Sequence, residues 1–330
     1  MKRKIFVAAM AAVALIACER NDESVPAPAE GETVMLEVKM NSELTKAQGE
    51  GDDESSVSGY QVLVYDMADR MLEAYDTPDP SSTDVSFQCK VGRKEVIVLA
   101  NAPDVSEFVS YDDFISKRSS LSDNAVGKLV MEGCASAELT VSGASITVNL
   151  KRVVSKVVLE KITVDFEQDT YDDDDFVLKN VYLTNVAADK TWLADSGDPS
   201  VWYNKVVRTA GNDVDAMIYE SLGDVNLKGK DTYDVKHHFY CYPNPYVTDS
   251  FSSVWSPRPT RLVVEAMLGD VLYYYPVSLP ELKQNTRYHV SLNIVRPGAK
   301  GPEQDMDRYA ASFTVNIEDW QGPENVSETI

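Results

Sequence analysis

Val34-Met35-Leu36-Glu37-Val38-Lys39-Met40 sets Val34, Leu36, Val38 and Met40 at every second position, with Met35, Glu37 and Lys39 between them. Side chains of an extended chain point alternately to two faces, so this period of two predicts a half-buried β-strand and not a helix. Tyr60, Val62 and Val64 alternate in the same way with Gln61, Leu63 and Tyr65. Val96-Ile97-Val98-Leu99-Ala100 is apolar throughout and stops at Asn101-Ala102-Pro103, the pattern of a strand covered on both faces.

Working outward, the alternation fades between Val105 and Val130, where Tyr111, Phe114, Ile115 and Leu121 predict a helical or irregular excursion. Strand signal returns at Ile146, Val148 and Leu150 and runs past Lys151-Arg152 into Val157 to Leu159 and Ile162 to Phe166. After an acidic stretch from Asp169 to Asp175, short strand patterns recur at 177–183, 239–242, 262–267, 271–277, 288–295 and 313–317. Many short strands with turn signals between them predict an all-β chain of two tandem transthyretin-like β-sandwiches with short helical excursions. The expected domains are residues 33–150 and 151–330, each with its own core.

The N-terminus carries a different signal. Lys2, Arg3 and Lys4 precede an apolar run from Ile5 to Ala17, and Leu15-Ile16-Ala17-Cys18 closes it as a lipoprotein export box. Residues 1–17 are the expected signal peptide, and Cys18 the lipidated N-terminus, where several acyl chains share the anchoring. Residues 18–32, polar and containing Pro26 and Pro28, read as a tether. Loss of the three basic residues takes the net charge from −22 to −25, which argues against a nucleic-acid partner. Cys89, Cys134 and Cys241 have no metal-ligand spacing and read as small buried side chains, with one disulfide as the alternative.

Several segments, taken in order, resemble the fimbrillins, the lipoprotein-exported subunits of type V pili of Gram-negative anaerobes. They are Gly59 to Tyr65, Lys94 to Pro103, Arg152 to Val157, Phe239 to Asn244, Tyr273-Tyr274-Tyr275-Pro276, Asn285-Thr286-Arg287-Tyr288 and Ile317-Glu318-Asp319-Trp320. The resemblance implies a structural, adhesive polymer subunit without catalysis or cofactor. Such a subunit sits on the outer membrane as a lipoprotein precursor and becomes part of an extracellular fimbrium after a trypsin-like protease cuts near its first strand. The loss of that strand opens a groove, which a C-terminal strand of the next copy, or of a related subunit, fills by β-augmentation.

Each step has a candidate here. Arg20, Lys39 and Lys46 are the basic residues between 18 and 60. Arg20 precedes the strand and Lys39 lies within it, so the expected cut falls between Lys46 and Ala47, ahead of a Gly, Asp, Glu and Ser stretch (48–58) expected to be exposed. Fimbrillins commonly carry Thr-Arg-Ala here, whereas this chain has Thr45-Lys46-Ala47. The expected donor strand is Phe313, Val315 and Ile317 with Trp320 capping it, together with the tail 321–330. The alternative keeps 313–317 as the domain's own last strand and exchanges only 322–330.

Phosphate-loop, nucleophile-elbow and His-Glu-x-x-His motifs are absent from the sequence. The adjacent His237 and His238 face opposite sides of a strand, and His289 falls on a polar face. Trp192, Trp202 and Trp255 are the candidates for a competing role in glycan binding, with host or bacterial surface ligands as partners. Within the resemblance, Lys46 and the C-terminal tail favour a stalk subunit over a tip or anchor.

Overall fold

The computed structural model describes residues 33–41, 54–168, 171, 175–195, 198–228, 231–248, 255–307, 309–320 and 325–328. Cys18, Lys46, Ala47 and most of the acidic stretch lie outside them. The fold is all-β, and its α-helices, α1 (Tyr111–Ser116) and α2 (Asp215–Ile218), are single turns.

The first half contributes β1 (Thr33–Asn41), β2 (Tyr60–Asp66), β3 (Met71–Asp76), β4 (Asp84–Lys90), β5 (Gly92–Ala100), β6 (Met131–Leu139) and β7 (Ala144–Asn149). They form a three-stranded sheet, β4-β1-β7, packed on a second sheet, β3-β2-β5-β6, which Lys151–Arg152 extends at β6. The second half contributes β8 (Ser155–Val164), β9 (Phe176–Thr184), β10 (Tyr219–Leu227), β11 (His237–Cys241), β12 (Arg261–Leu268), β13 (Val271–Ser278), β14 (Thr286–Ile294), β15 (Ala311–Asp319) and β16 (Asn325–Glu328). One of its sheets runs β8-β14-β15-β16 with β11 and Thr232–Tyr233 also on β8, and the other runs β10-β9-β12-β13.

β5 shows why its apolar run is continuous. Every residue from Val96 to Ala100 is fully buried. Val96, Val98 and Ala100 face the β4-β1-β7 sheet, in a cluster with Leu36, Val38, Phe87 and Val148. Ile97 and Leu99 point the other way, towards Phe108, Phe114 and Leu121 of the 105–130 excursion. That second cluster runs on without a break into Trp192, Phe239, Tyr240 and Val290 of the second half. The first half has a core of its own between its two sheets, and the second cluster is shared between the halves. The excursion supplies side chains to both, with Phe114 stacked on Trp192 at 6.0 Å and Arg118–Ser120 pairing with Asp189–Thr191.

Candidate functional site

β1 is the middle strand of its sheet. It runs antiparallel to β4 and parallel to β7, so Leu36 sits opposite Phe87 and Ala144, and Val38 opposite Val85 and Ile146. Its alternation becomes burial as the sequence predicts: Leu36 and Val38 are fully buried and Met40 nearly so, while Met35 and Lys39 are exposed. At about 1.5–3 kcal/mol per buried apolar side chain, the three inward residues contribute roughly 6 kcal/mol. Gly143, at φ +79°, brings the turn before β7 so close that a Cβ there would lie 2.6 Å from the Met35 carbonyl oxygen.

Both ends of the segment 42–53 are fastened to one place. The Leu150 amide donates to the Asn41 carbonyl at 3.1 Å, and Asn41 Nδ2 donates to Asn149 Oδ1 at 2.8 Å. Two residues further along, Arg152 Nε donates to the Glu54 carbonyl at 3.1 Å.

Glu54 corrects the expectation that 48–58 is exposed throughout. It is buried, its Oε1 lies 2.8 Å from Lys156 Nζ, and the same oxygen accepts a hydrogen bond from the Tyr240 hydroxyl. Ser58 is also fixed, its amide and hydroxyl donating to Asn101 Oδ1 at 2.8 and 2.9 Å. A carboxylate set beside two buried cations offsets part of the cost of burying their charges. Burial pulls the Arg152 guanidinium down to about 10, with the Glu54 carboxylate acting in the opposite sense.

The donor candidates lie on β15 and just after it. β15 pairs with β14 over its whole length, placing Phe313 opposite Leu292, Val315 opposite Val290 and Ile317 opposite Tyr288. Val315 is buried, and Phe313 and Ile317 partly so. Trp320, expected to cap the run, packs inward just after it. It is buried, stacked on Tyr240 at 6.2 Å, with the Arg152 guanidinium 4.5 Å above its ring. β16 is held more lightly, by four residue pairs from Val315↔Glu328 to Glu318↔Asn325. Withdrawing β15 would break nine pairs with β14 and uncover Val315 and Trp320, whereas withdrawing β16 gives up four pairs with β15.

The other candidates disperse. Trp192 belongs to the core, and Trp202 meets Tyr246 and Trp255 at 56° and 64°, so the three tryptophans do not form one flat row. His237 bonds Glu220 at 2.7 Å and Tyr233 at 2.8 Å, while His289 bonds Glu160 at 2.6 Å on another strand. Among the described residues no three His, Cys, Asp or Glu side chains gather to hold a metal ion. Cys89, Cys134 and Cys241 are free thiols, with Cys89 and Cys241 buried as expected and Cys134 exposed.

A family model described as the major fimbrial subunit protein (FimA) matches residues 33–191, the stretch that holds the whole β4-β1-β7 sheet. Major fimbrium subunit FimA type-3 of Porphyromonas gingivalis is 21% identical in an alignment covering 97% of this chain and 98% of its own length. On these matches the chain resembles the fimbrillin family. A FimA type-2 subunit of the same organism is 29% identical over 100 residues, a stretch that spans 30% of this chain and 25% of that relative. The crystal structure of a fimbrilin from Porphyromonas gingivalis W83 shares the fold, with a TM-score of 0.63 at 16% identity over 86% of this chain and 96% of that one.

Proposed function

We propose that this protein is a fimbrillin, a structural subunit of a surface fimbrium that reaches the outer membrane as a lipoprotein through Cys18, is cut after Lys46, and polymerises by strand exchange. In this reading residues 33–150 and 151–330 are two β-sandwich domains. The first accepts a strand and the second donates one. The cut is the work of a trypsin-like protease, and the assembled fibre of like and related subunits is extracellular and adhesive.

The observation that carries the reading is the place of β1. A central strand that supplies Leu36, Val38 and Met40 to the core leaves a groove with two unpaired edges when it departs, and another strand must satisfy them. The fastening of residue 41 to Leu150 and of residue 54 to Arg152 supports a cut between them, because a cut there severs β1 from the rest of the chain and leaves both anchors in place. The light hold on β16 supports the segment after Trp320 as the donor, with Phe313, Val315, Ile317 and Trp320 remaining as its base.

N-terminal sequencing of assembled fimbriae tests the cut. A start at Ala47 is expected, and a start at Cys18 or Glu32 overturns it. Deleting residues 322–330 tests the donor: a folded monomer that no longer polymerises is expected, and polymers from the shortened chain overturn it.

A further inference from the structure

Three charged side chains meet inside the first sandwich. Lys94 of β5 is fully buried, and Asp66 of β2 stands directly opposite it across the ladder, with Oδ2 2.9 Å from Nζ. Glu73 of β3 completes the set, its Oε2 2.6 Å from the same nitrogen. Glu73 is the residue that the irregularity between β2 and β3 leaves without a cross-strand partner, and such bulges re-aim a side chain. The other carboxylate oxygens are held elsewhere: Asp66 Oδ1 accepts from the Ala68 amide at 2.9 Å, and Glu73 Oε1 from the Lys90 amide at 2.7 Å. Lys94 Nζ and Glu73 Oε2 are buried, and despite their short contacts neither has a partner in hydrogen-bond geometry. Charges buried with incomplete hydrogen bonding are costly to keep.

We propose that Lys94 and Asp66 condense into an intramolecular isopeptide bond, with Glu73 carrying the protons. Glu73 Oε2 takes a proton from the Lys94 ammonium and passes it to Asp66 Oδ2, which leaves a neutral amine beside a neutral acid. The Nζ lone pair attacks Asp66 Cγ, and negative charge gathers on Oδ1, where the Ala68 amide already donates. Nζ then gives a second proton through Glu73 to the Oδ2 hydroxyl, the Cγ–Oδ2 bond breaks, and water leaves. The nitrogen keeps one hydrogen in the new amide, and Glu73 ends ionised as it began. Because the reacting groups sit on paired neighbouring strands, the step has the advantage of an intramolecular reaction. Burial opposes the charge on Lys94, but Glu73 and Asp66 outweigh it and hold the lysine up. The neutral amine is therefore a minor species, and the bond forms slowly, after folding, from the ion pair. The amide replaces two buried charges with a neutral group and ties β2 to β5. The proposed function enters only in what the tie is for, since these two strands floor the groove that β1 fills.

The chemistry is tested on the whole protein, independently of processing or polymerisation. Purified protein kept at neutral pH is denatured and digested with trypsin, and the peptides are sequenced by mass spectrometry. Peptides 47–70 and 94–117 are expected joined through Asp66 and Lys94, lighter by one water, with no cleavage after Lys94. Separate peptides, cleaved after Lys94, overturn the bond and leave the three residues as an ion cluster only. Asp66→Asn should give the same junction with loss of ammonia in place of water, a signature that a purely structural ion pair does not produce. A folded Asp66→Asn protein without the junction overturns Asp66 as the acyl partner. Glu73→Gln should slow accumulation of the joined peptide about a hundredfold, and accumulation at the wild-type rate overturns the proton transfer given to Glu73. Where a variant fails to fold, the wild-type digest decides by itself. A junction found in a chain that never polymerises keeps the bond and overturns the fimbrial reading.

Discussion

The hold of β1 on the first sandwich can be measured by weakening its inward face alone. Leu36 and Val38 are both fully buried, against Phe87, Val148 and the β2 and β5 valines. Leu36→Ala should cost about 3 kcal/mol in lost transfer energy and cavity, and Val38→Ala about 2 kcal/mol. The two sites share neighbours, so their joint effect falls somewhat short of the sum, at roughly 4 kcal/mol. With 1.36 kcal/mol per decade, this corresponds to release of the strand about a thousandfold faster. The assay uses chain cut once after Lys46 and then mixed with an excess of labelled peptide spanning residues 33–41, with uptake of label reporting departure of the original strand. Met35→Ala and Lys39→Ala, on the exposed face, should change the rate by no more than about threefold. Equal rates for wild type and the double variant would refute the reasoning, as would an outward substitution as damaging as the inward pair.

Gly143→Ala places a methyl 2.6 Å from the Met35 carbonyl at a φ of +79°, so uncut protein should lose about 2 kcal/mol in urea titration. About half of that deficit should vanish once β1 has been removed, and an unchanged deficit would show that Met35 is not the obstacle. Lys94 is fully buried between Asp66, at 2.9 Å, and Glu73, at 2.6 Å, so Lys94→Met should cost roughly 3 kcal/mol. Burial opposes the charges of Lys94 and Asp66, but Glu73 and Asp66 raise the lysine, while the Ala68 amide and Lys94 lower the aspartate. Their stabilisation is therefore lost as pH rises through the raised lysine value, and again as pH falls through the depressed aspartate value. Stability–pH curves should show Lys94→Met flatter than wild type on both limbs, and parallel curves would sink this account. Burial pushes the Cys241 thiol up to about 12, and burial with Glu73 pushes Cys89 up to about 11. Alkylation of native protein at pH 8 should accordingly mark Cys134 before either, and early labelling of Cys241 would contradict its place in the core. In the tail, Val326, Glu328 and Ile330 alternate, so a carboxylate would meet the middle of a groove shaped for Leu36, Val38 and Met40. Glu328→Leu should strengthen polymerisation, measured as a lower critical concentration, and no change would place the other face of the tail inward.

The sequence makes legible whatever depends on local period. The alternation in 34–40 gives β1 and its buried face, and the unbroken 96–100 run gives a strand covered on both sides. The fading pattern after Val105 marks α1 and its irregular neighbours. β3, β6 and β10 escape that reading because their inward positions are small or broken, as at Gly133, Ala135, Ala137 and Gly223, whereas β4 alternates plainly, with Val85, Phe87 and Cys89 against Ser86 and Gln88. Long-range partners are not written in period at all. Glu54 and Lys156 are 102 positions apart, and Glu132 and Lys190 are 58 apart, yet each pair is buried and ionic. On composition, such residues count as solvated surface, and only their counter-ions make burial tolerable. The parallel pairing of β1 with β7 is hidden for the same reason, since it joins residue 36 to residue 144.

That pairing explains why loss of β1, as proposed, would create a site and not merely a defect. β4 follows into β5 with only Val91 between them, and β7 returns from β6 through a turn closed by the Gly143 amide on the Thr140 carbonyl at 2.9 Å. Because β5 and β6 are paired along nine residues, the two flanking strands stay tethered to a rigid floor. If β4 and β7 did move together, they would satisfy some backbone groups but bring no new side chain over Val62, Val64, Val96 and Val98, which Leu36, Val38 and Met40 cover. Backbone pairing contributes about 0.5–1.5 kcal/mol net per bond, so self-closure cannot replace roughly 6 kcal/mol of apolar burial. An incoming strand with apolar residues at every second position satisfies both demands together. It has two orientations to choose from. Running in the direction of β1 it restores an antiparallel ladder to β4, and running against it forms the antiparallel ladder with β7 instead. The side-chain spacing is the same in either case, so in the proposed exchange the groove would select its occupant by alternation and apolar fit, and the geometry of the joined subunits would decide its direction.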